Sequence, residues 1–203
     1  MKILLIYSKQ TTFNQAIRDH LDSIIDLRKY GYELSCMAIE SIKELSEDIK
    51  IFNSFDTIII HYSVRIGMSS MDLPNGMMPK SFIDLIKHKI KILFIQDDYD
   101  SLNLTKEKIK QLNPQLVFTV VPQRSIEKFY PAHEFPNTKF ISILTGYVTK
   151  EMIKNYHYFL KQKNRKFLVS YRANNMPLRY GMMGYLKREI GFSFLDYFGP
   201  SDK

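Results

Sequence analysis

Gln96, Asp97, Asp98 and Tyr99 stand together where the apolar run KILFI, Lys91 to Ile95, stops. Parallel α/β sheets hold their ligands outside the carboxyl ends of the strands, so a polar cluster at such an end is a candidate site. A carboxylate placed there can take the proton from an attacking hydroxyl. Two adjacent carboxylates disfavour ionising together, which can raise one of them into a useful range. Successive side chains of an extended segment point opposite ways, so only one of Asp97 and Asp98 is expected to face a cleft. The alternative role is an acidic loop that caps the following helix, near Thr105, or pairs with a lysine. His61, at the end of the run TIIIH, is a second candidate base, and a hydrogen-bonded structural histidine would fit the same place.

These residues need a sheet to gather them. Short apolar runs at Lys2 to Tyr7, Glu33 to Ala38, Thr57 to His61, Lys91 to Ile95, Leu116 to Val121, Phe140 to Leu144 and Phe167 to Tyr171 predict strands, each separated by enough chain for a crossover helix. Helices are expected over Thr12 to Lys29, Ser41 to Phe52, Lys80 to His88, Thr105 to Leu112, Arg124 to Phe129, Thr149 to Lys161 and Tyr180 to Phe194. Strands without internal alternation read as covered on both faces, which predicts a single Rossmann-like, doubly wound α/β domain with a mostly parallel sheet and a helical C-terminal extension. Lys2 to Tyr7, Thr57 to His61 and Lys91 to Ile95 are the most continuously apolar runs and should be central. The carboxyl edge of such a sheet gathers Ser8 and Lys9, then His61, Tyr62, Ser63 and Arg65, then Gln96 to Tyr99, Pro122 to Arg124, and Thr145 to Tyr147. The connection from His61 to Pro79 is rich in Met and Gly and suits a loop over a site or a surface insertion.

At 203 residues and 45% hydrophobic content the chain can bury a full core. The single cysteine, Cys36, excludes an internal disulfide, and no signal peptide or bilayer-length apolar run is present, so the expected compartment is the cytoplasm. Charge is uneven: residues 1–100 carry 12 Lys+Arg against 14 Asp+Glu, and residues 101–203 carry 17 against 7. A basic half suits an anionic glycan, nucleic acid, a membrane surface or phosphorylated small molecules, or is simply a solvated face, as for KQKNRK at Lys161 to Lys166. No dinucleotide glycine fingerprint or Walker A sequence occurs, and SKQTTFN after the first strand lacks the glycine a flavin phosphate loop needs. The five histidines lack metal-ligand spacing with each other or with Cys36, so a structural zinc is not expected; metal-assisted binding through Asp97 and Asp98 stays conceivable, but no metal or other cofactor is expected. Arg172, Arg179 and Lys187 punctuate a segment whose guanidinium groups suit diphosphate or carboxylate, and Gly146 allows close backbone approach to a ligand or a plain turn.

The segments FIQDDYD, LNPQLVFTVVP, FYPAHEFPN, SILTGYV and SYRANNMPLRYGMMGYLKREIG, in this order between Lys91 and Gly191, resemble consecutive signatures of bacterial GT-B glycosyltransferases, nearest the spore-maturation CgeB-like family of surface-polysaccharide clusters. Residues 1–90 fit that family at the level of fold alone. The resemblance implies that residues 1–170 form the acceptor-side Rossmann-like domain and residues 171–203 a junction leading toward a donor-binding domain. It further implies a nucleotide-sugar co-substrate and a glycan or other hydroxyl acceptor. Catalytic candidates are Asp97, Asp98 and His61. Substrate-binding candidates are Gln96, Tyr99, Tyr62, Arg65, Gly146, Tyr147, Arg172 and Arg179. On this reading the chain is inactive alone and works with a separate donor domain or subunit, with no nucleic acid partner and no membrane span, peripheral membrane contact being left open.

The rival reading is a non-enzymatic Rossmann-like module that holds an anionic glycan, a nucleic acid or a partner protein. Exposure of Phe192, Phe194, Leu195, Tyr197 and Phe198 would favour the two-domain transferase, whose surface must receive a second body.

Overall fold

The computed structural model describes residues 1–46, 49–64, 78–98, 102–144, 149–160 and 181–198. Six strands run parallel: β1 (Lys2–Ser8), β2 (Glu33–Ile39), β3 (Thr57–Ile60), β4 (Ile90–Phe94), β5 (Leu116–Thr119) and β6 (Lys139–Ser142). Their spatial order is β2-β1-β3-β4-β5-β6. The expected doubly wound α/β fold is therefore present, with β1, β3 and β4 in the interior of the sheet. The seventh expected strand, Phe167 to Tyr171, lies outside the described residues.

Register follows from the apolar runs. Ile6 pairs with Ile60 and Ile60 with Leu93, so one layer of branched side chains crosses three strands. Leu4, Ile6, Ile58, Ile60, Leu93 and Val117 line one face of the sheet. Above them lie Phe82 and Ile86 of α2 (Lys80–Ile86), Ile109 and Leu112 of α3 (Leu102–Leu112) and Ile126 of α4 (Ile126–Phe129). On the opposite face Ile3, Leu5 and Ile59 pack beneath Leu21 and Ile24 of α1 (Gln15–Ile25). Burying one such side chain contributes roughly 1.5–3 kcal/mol, so both layers count.

Local sequence sets the ends of these elements. The Asn14 side chain accepts from the Ala16 N–H at 2.9 Å and starts α1, an N-cap in the preferred residue class. A 3-10 turn continues α1 and ends at Gly31, whose φ of 85° is left-handed and suits a residue without Cβ. The expected helix over Ser41 to Phe52 is instead two 3-10 turns, Ile42–Ser46 and Ile49–Ser54. Each turn buries one large apolar side chain, Leu45 in the first and Phe52 in the second, while Glu44 folds back to accept from the N–H groups of Glu40 and Ser41 at 2.9 and 2.8 Å. Lys91, inside β4, is buried as well. Its Nζ donates to the carbonyls of Lys87 and Lys89 at 3.0 and 3.1 Å and so caps the carboxyl end of α2.

The chain divides into two compact units, residues 1–149 and 150–203. The first holds the whole sheet. The second contains α5 (Lys150–Leu160) and α6 (Gly181–Phe198). Of the five aromatic and aliphatic positions picked out near the end of α6, Phe192 is exposed at 49% and the other four side chains lie outside the described residues. No helix among the described residues is long and apolar enough to cross a membrane.

Candidate functional site

The order of the strands places a crevice. From β1 the chain goes to β2 on one side, then crosses to β3 on the other side and continues outward to β6. The direction of winding reverses between β1 and β3, and in open α/β sheets ligands bind outside the carboxyl ends at that switch point. Ser8 ends β1, and His61 follows β3 directly, its N–H donating to the Ile6 carbonyl at 2.9 Å.

His61 is fully buried and hydrogen-bonded through both ring nitrogens. Its Nδ1 lies 3.1 Å from the Ser63 main-chain nitrogen and 2.9 Å from Ser63 Oγ. A main-chain N–H can only donate, so Nδ1 is an acceptor and the proton of the neutral ring sits on Nε2. Burial, reinforced by the neighbouring His20, lowers the His61 pKa to about 3, which keeps the ring neutral. Its Nε2–H therefore donates to His20 Nδ1, 2.8 Å away. His20 in turn carries its own proton on Nε2, and burial lowers its pKa too. The network extends backward through Ser63 Oγ, which accepts from the Ser8 N–H at 3.0 Å. Aromatic rings hold the pair in place: Tyr62 lies 4.0 Å from His61 between centroids, and Phe94 and Tyr62 lie 5.2 and 5.3 Å from His20.

One strand over, the acidic pair divides, one carboxylate outward and one inward, for a reason other than strand alternation. Asp97 is exposed with φ at 61°, a left-handed conformation that Asp tolerates better than most residues. That turn of the backbone sends Asp98 inward. Asp98, 2% exposed, accepts from Thr119 Oγ1 at 2.7 Å, from the Tyr130 hydroxyl and from the Val120 N–H at 3.4 Å. Burial and the Asp98 charge both push the Tyr130 phenol up. Tyr130 stacks on Phe140 at 4.5 Å, so this cluster ties the end of β4 to β5, β6 and α4. Its acceptor oxygens are occupied by protein donors, which makes Asp98 a staple, and Asp97 is the exposed carboxylate of the two.

His61, Gln96 and Asp97 thus share the carboxyl edge, and Tyr62 packs on His61 there. Gln96, like Asp97, is exposed. Arg65, Tyr99, Gly146, Tyr147, Arg172 and Arg179 lie outside the described residues. The residue that sequence reasoning passed over is His20. Its signal was its place at the 3–4 spacing of Ile17, Leu21 and Ile24 on the buried face of α1, where a polar side chain needs a partner. A hollow of about 450 Å³ is lined by Asn53, Asp56 and His88 and lies at the opposite, amino edge of the sheet. No group of three or more His, Cys, Asp or Glu able to hold a metal occurs among the described residues.

Comparison with protein-family models, with curated proteins and with solved structures finds no match to this chain. Fold and site define a Rossmann-like α/β protein with a polar cluster at its topological switch point. Function has to be argued from that site.

Proposed function

We propose that the chain is the acceptor-side half of a two-domain GT-B glycosyltransferase, working in the cytoplasm on a surface-polysaccharide or related acceptor. The observation that carries this reading is the exposed Asp97 carboxylate beside the switch-point crevice, on the same edge as the His61 and His20 pair. The motif resemblance around FIQDDYD points the same way. So does surface character: Phe13 and Leu144, at 81% and 86% the most exposed large apolar side chains described, both follow carboxyl ends of strands, where a second domain would face this one.

In the transfer, the acceptor oxygen attacks the anomeric carbon of the donor sugar. The new glycosidic bond forms as the bond from that carbon to the diphosphate oxygen breaks, the diphosphate leaves with the electron pair, and Asp97 takes the hydroxyl proton. Gln96 and Tyr62 would orient the acceptor, and the donor half would hold the nucleotide. Precise juxtaposition of the two substrates needs both walls of the cleft, so this half alone is inactive.

Two measurements test the reading. Calorimetry of the chain against UDP-, GDP- and CDP-linked sugars should show no saturable heat at micromolar concentration. Tight binding would instead make it a self-contained nucleotide-binding protein. Supplied with a donor-binding domain, the Asp97→Asn variant should lose about 100-fold or more in kcat with KM for the acceptor little changed. Unchanged turnover would remove Asp97 from the chemistry and favour the non-enzymatic binding module.

A further inference from the structure

The histidine pair ends in a nitrogen that the proposed transfer does not use. Ser63 fixes the proton of His61 on Nε2, His61 fixes the proton of His20 on Nε2, and that last N–H has no protein acceptor among the described residues. His20 keeps 9% of its surface, through which a ligand can reach the side chain. The chain of hydrogen bonds has one direction: a second proton on His20 would set an N–H against the N–H of His61. His20 is thereby held as a neutral donor, with no lone pair outward and no positive charge.

The surroundings select what such a donor can meet. The charged residues beside it on α1 are engaged elsewhere: Arg18 donates to the Thr12 carbonyl and to Gln15 Oε1, and Asp19 accepts from the Gln15 amide at 2.7 Å. No described cation acts on the His20 ring, whose shift has burial as its only cause. Two half-buried aromatic rings, Tyr62 and Phe94, flank it instead, and Phe94 stacks on Phe118 at 4.7 Å to continue the apolar shelf. A polar donor set among aromatic rings, with no counter-charge on it among the described residues, matches a ligand with apolar faces and uncharged oxygens.

We propose that His20 Nε2–H is a preset hydrogen-bond donor to a neutral oxygen of a carbohydrate seated against Tyr62 and Phe94, and that Ser63 and His61 are positioning residues that hold it in this form. The proposal rests on the acceptor-side reading above for where the sugar comes from, but the binding itself requires neither a donor domain nor turnover.

The test is a titration of the full chain with methyl α- and β-glycosides at millimolar concentration, and separately with inorganic phosphate, followed through the imidazole ¹⁵N signals. Glycosides should move the His20 Nε2 signal saturably while leaving it protonated, and phosphate should not. His20→Asn places an amide oxygen where Nδ1 was, keeping an acceptor for His61 but removing the outward donor. It should fold and weaken glycoside binding at least tenfold, whereas His20→Gln, which restores a donor near Nε2, should recover part of it. Equal binding by His20→Asn, or no glycoside response in the unaltered chain, overturns the proposal and leaves the pair as a packing device. A response to phosphate alone overturns it in favour of an anion site. Either result is distinguishable from failure of the transferase reading, which is read out by nucleotide-sugar binding and by turnover of Asp97→Asn.

Discussion

Two buried polar clusters occupy the same edge of one sheet, and they differ in how they end. The Asp98 cluster closes on itself: Thr119, Tyr130 and the Val120 N–H converge on one carboxylate beneath the aromatic layer of Phe135 and Phe140. The His61 cluster runs in a line, from the Ser8 N–H through Ser63 and His61 to the outward N–H of His20. Buried polar groups are costly unless satisfied, so a closed cluster is what stability alone would select. An open one leaves a directed donor at a surface, in the crevice where this topology places ligands.

The contrast predicts different sensitivities. Asp98→Ala would strand three donors in the interior and should cost about 3 kcal/mol or more in urea unfolding at neutral pH. Adding Tyr130→Phe to that variant should recover part of the loss, because one stranded group is then gone. Additive losses would mean that the hydroxyl and the carboxylate do not act as a unit.

Acid should find the other cluster. The unfolded chain takes a proton on His61 near pH 6.5, whereas the folded chain resists until about pH 3. Above 6.5 both states are neutral and stability is full; as pH falls below 6.5 the unfolded state binds the extra proton and stability drains until about pH 3. Between pH 7 and pH 5 this amounts to about 2 kcal/mol from His61. A His61→Asn variant, whose amide oxygen can still accept from the Ser63 N–H, should lose most of that slope. An unaltered slope would place the acid sensitivity elsewhere.

The smallest effects belong to Asp97. Asp97→Asn suits the same left-handed backbone and should change stability by less than about 0.5 kcal/mol, while Asp97→Ala should cost about 1 kcal/mol for its φ of 61°. If the Asn variant is as destabilised as Asp98→Ala, Asp97 is part of a staple too and the division between the two carboxylates fails.

Much of this is legible in the amino-acid sequence. Six of the seven expected apolar runs are parallel strands, and the clearest of them, in β1 and β3, are buried on both faces and written almost entirely in branched residues. The edge shared by His61, Gln96 and Asp97 followed from topology. What failed to show was governed by long-range geometry or by single dihedrals. Nothing local joins His20 to His61, 41 residues apart, until the strand order brings α1 over β3. Likewise, which of two adjacent aspartates turns inward depends on one left-handed φ, a conformation that composition does not announce. An α-helix is expected over Ser41 to Phe52 and two 3-10 turns are found, because Ile42, Leu45 and Phe52 fit an α-helical stripe as well as they fit the two turns.

The direction of the histidine relay decides between an open cluster and an ordinary buried pair. A long-range ¹H–¹⁵N correlation of the imidazole rings in the unliganded chain reads it directly. The account predicts that both His61 and His20 carry their proton on Nε2, with His61 Nδ1 unprotonated, and that His61 does not titrate between pH 8 and pH 5. A His61 ring protonated on Nδ1, or one that titrates near pH 6.5, would contradict it.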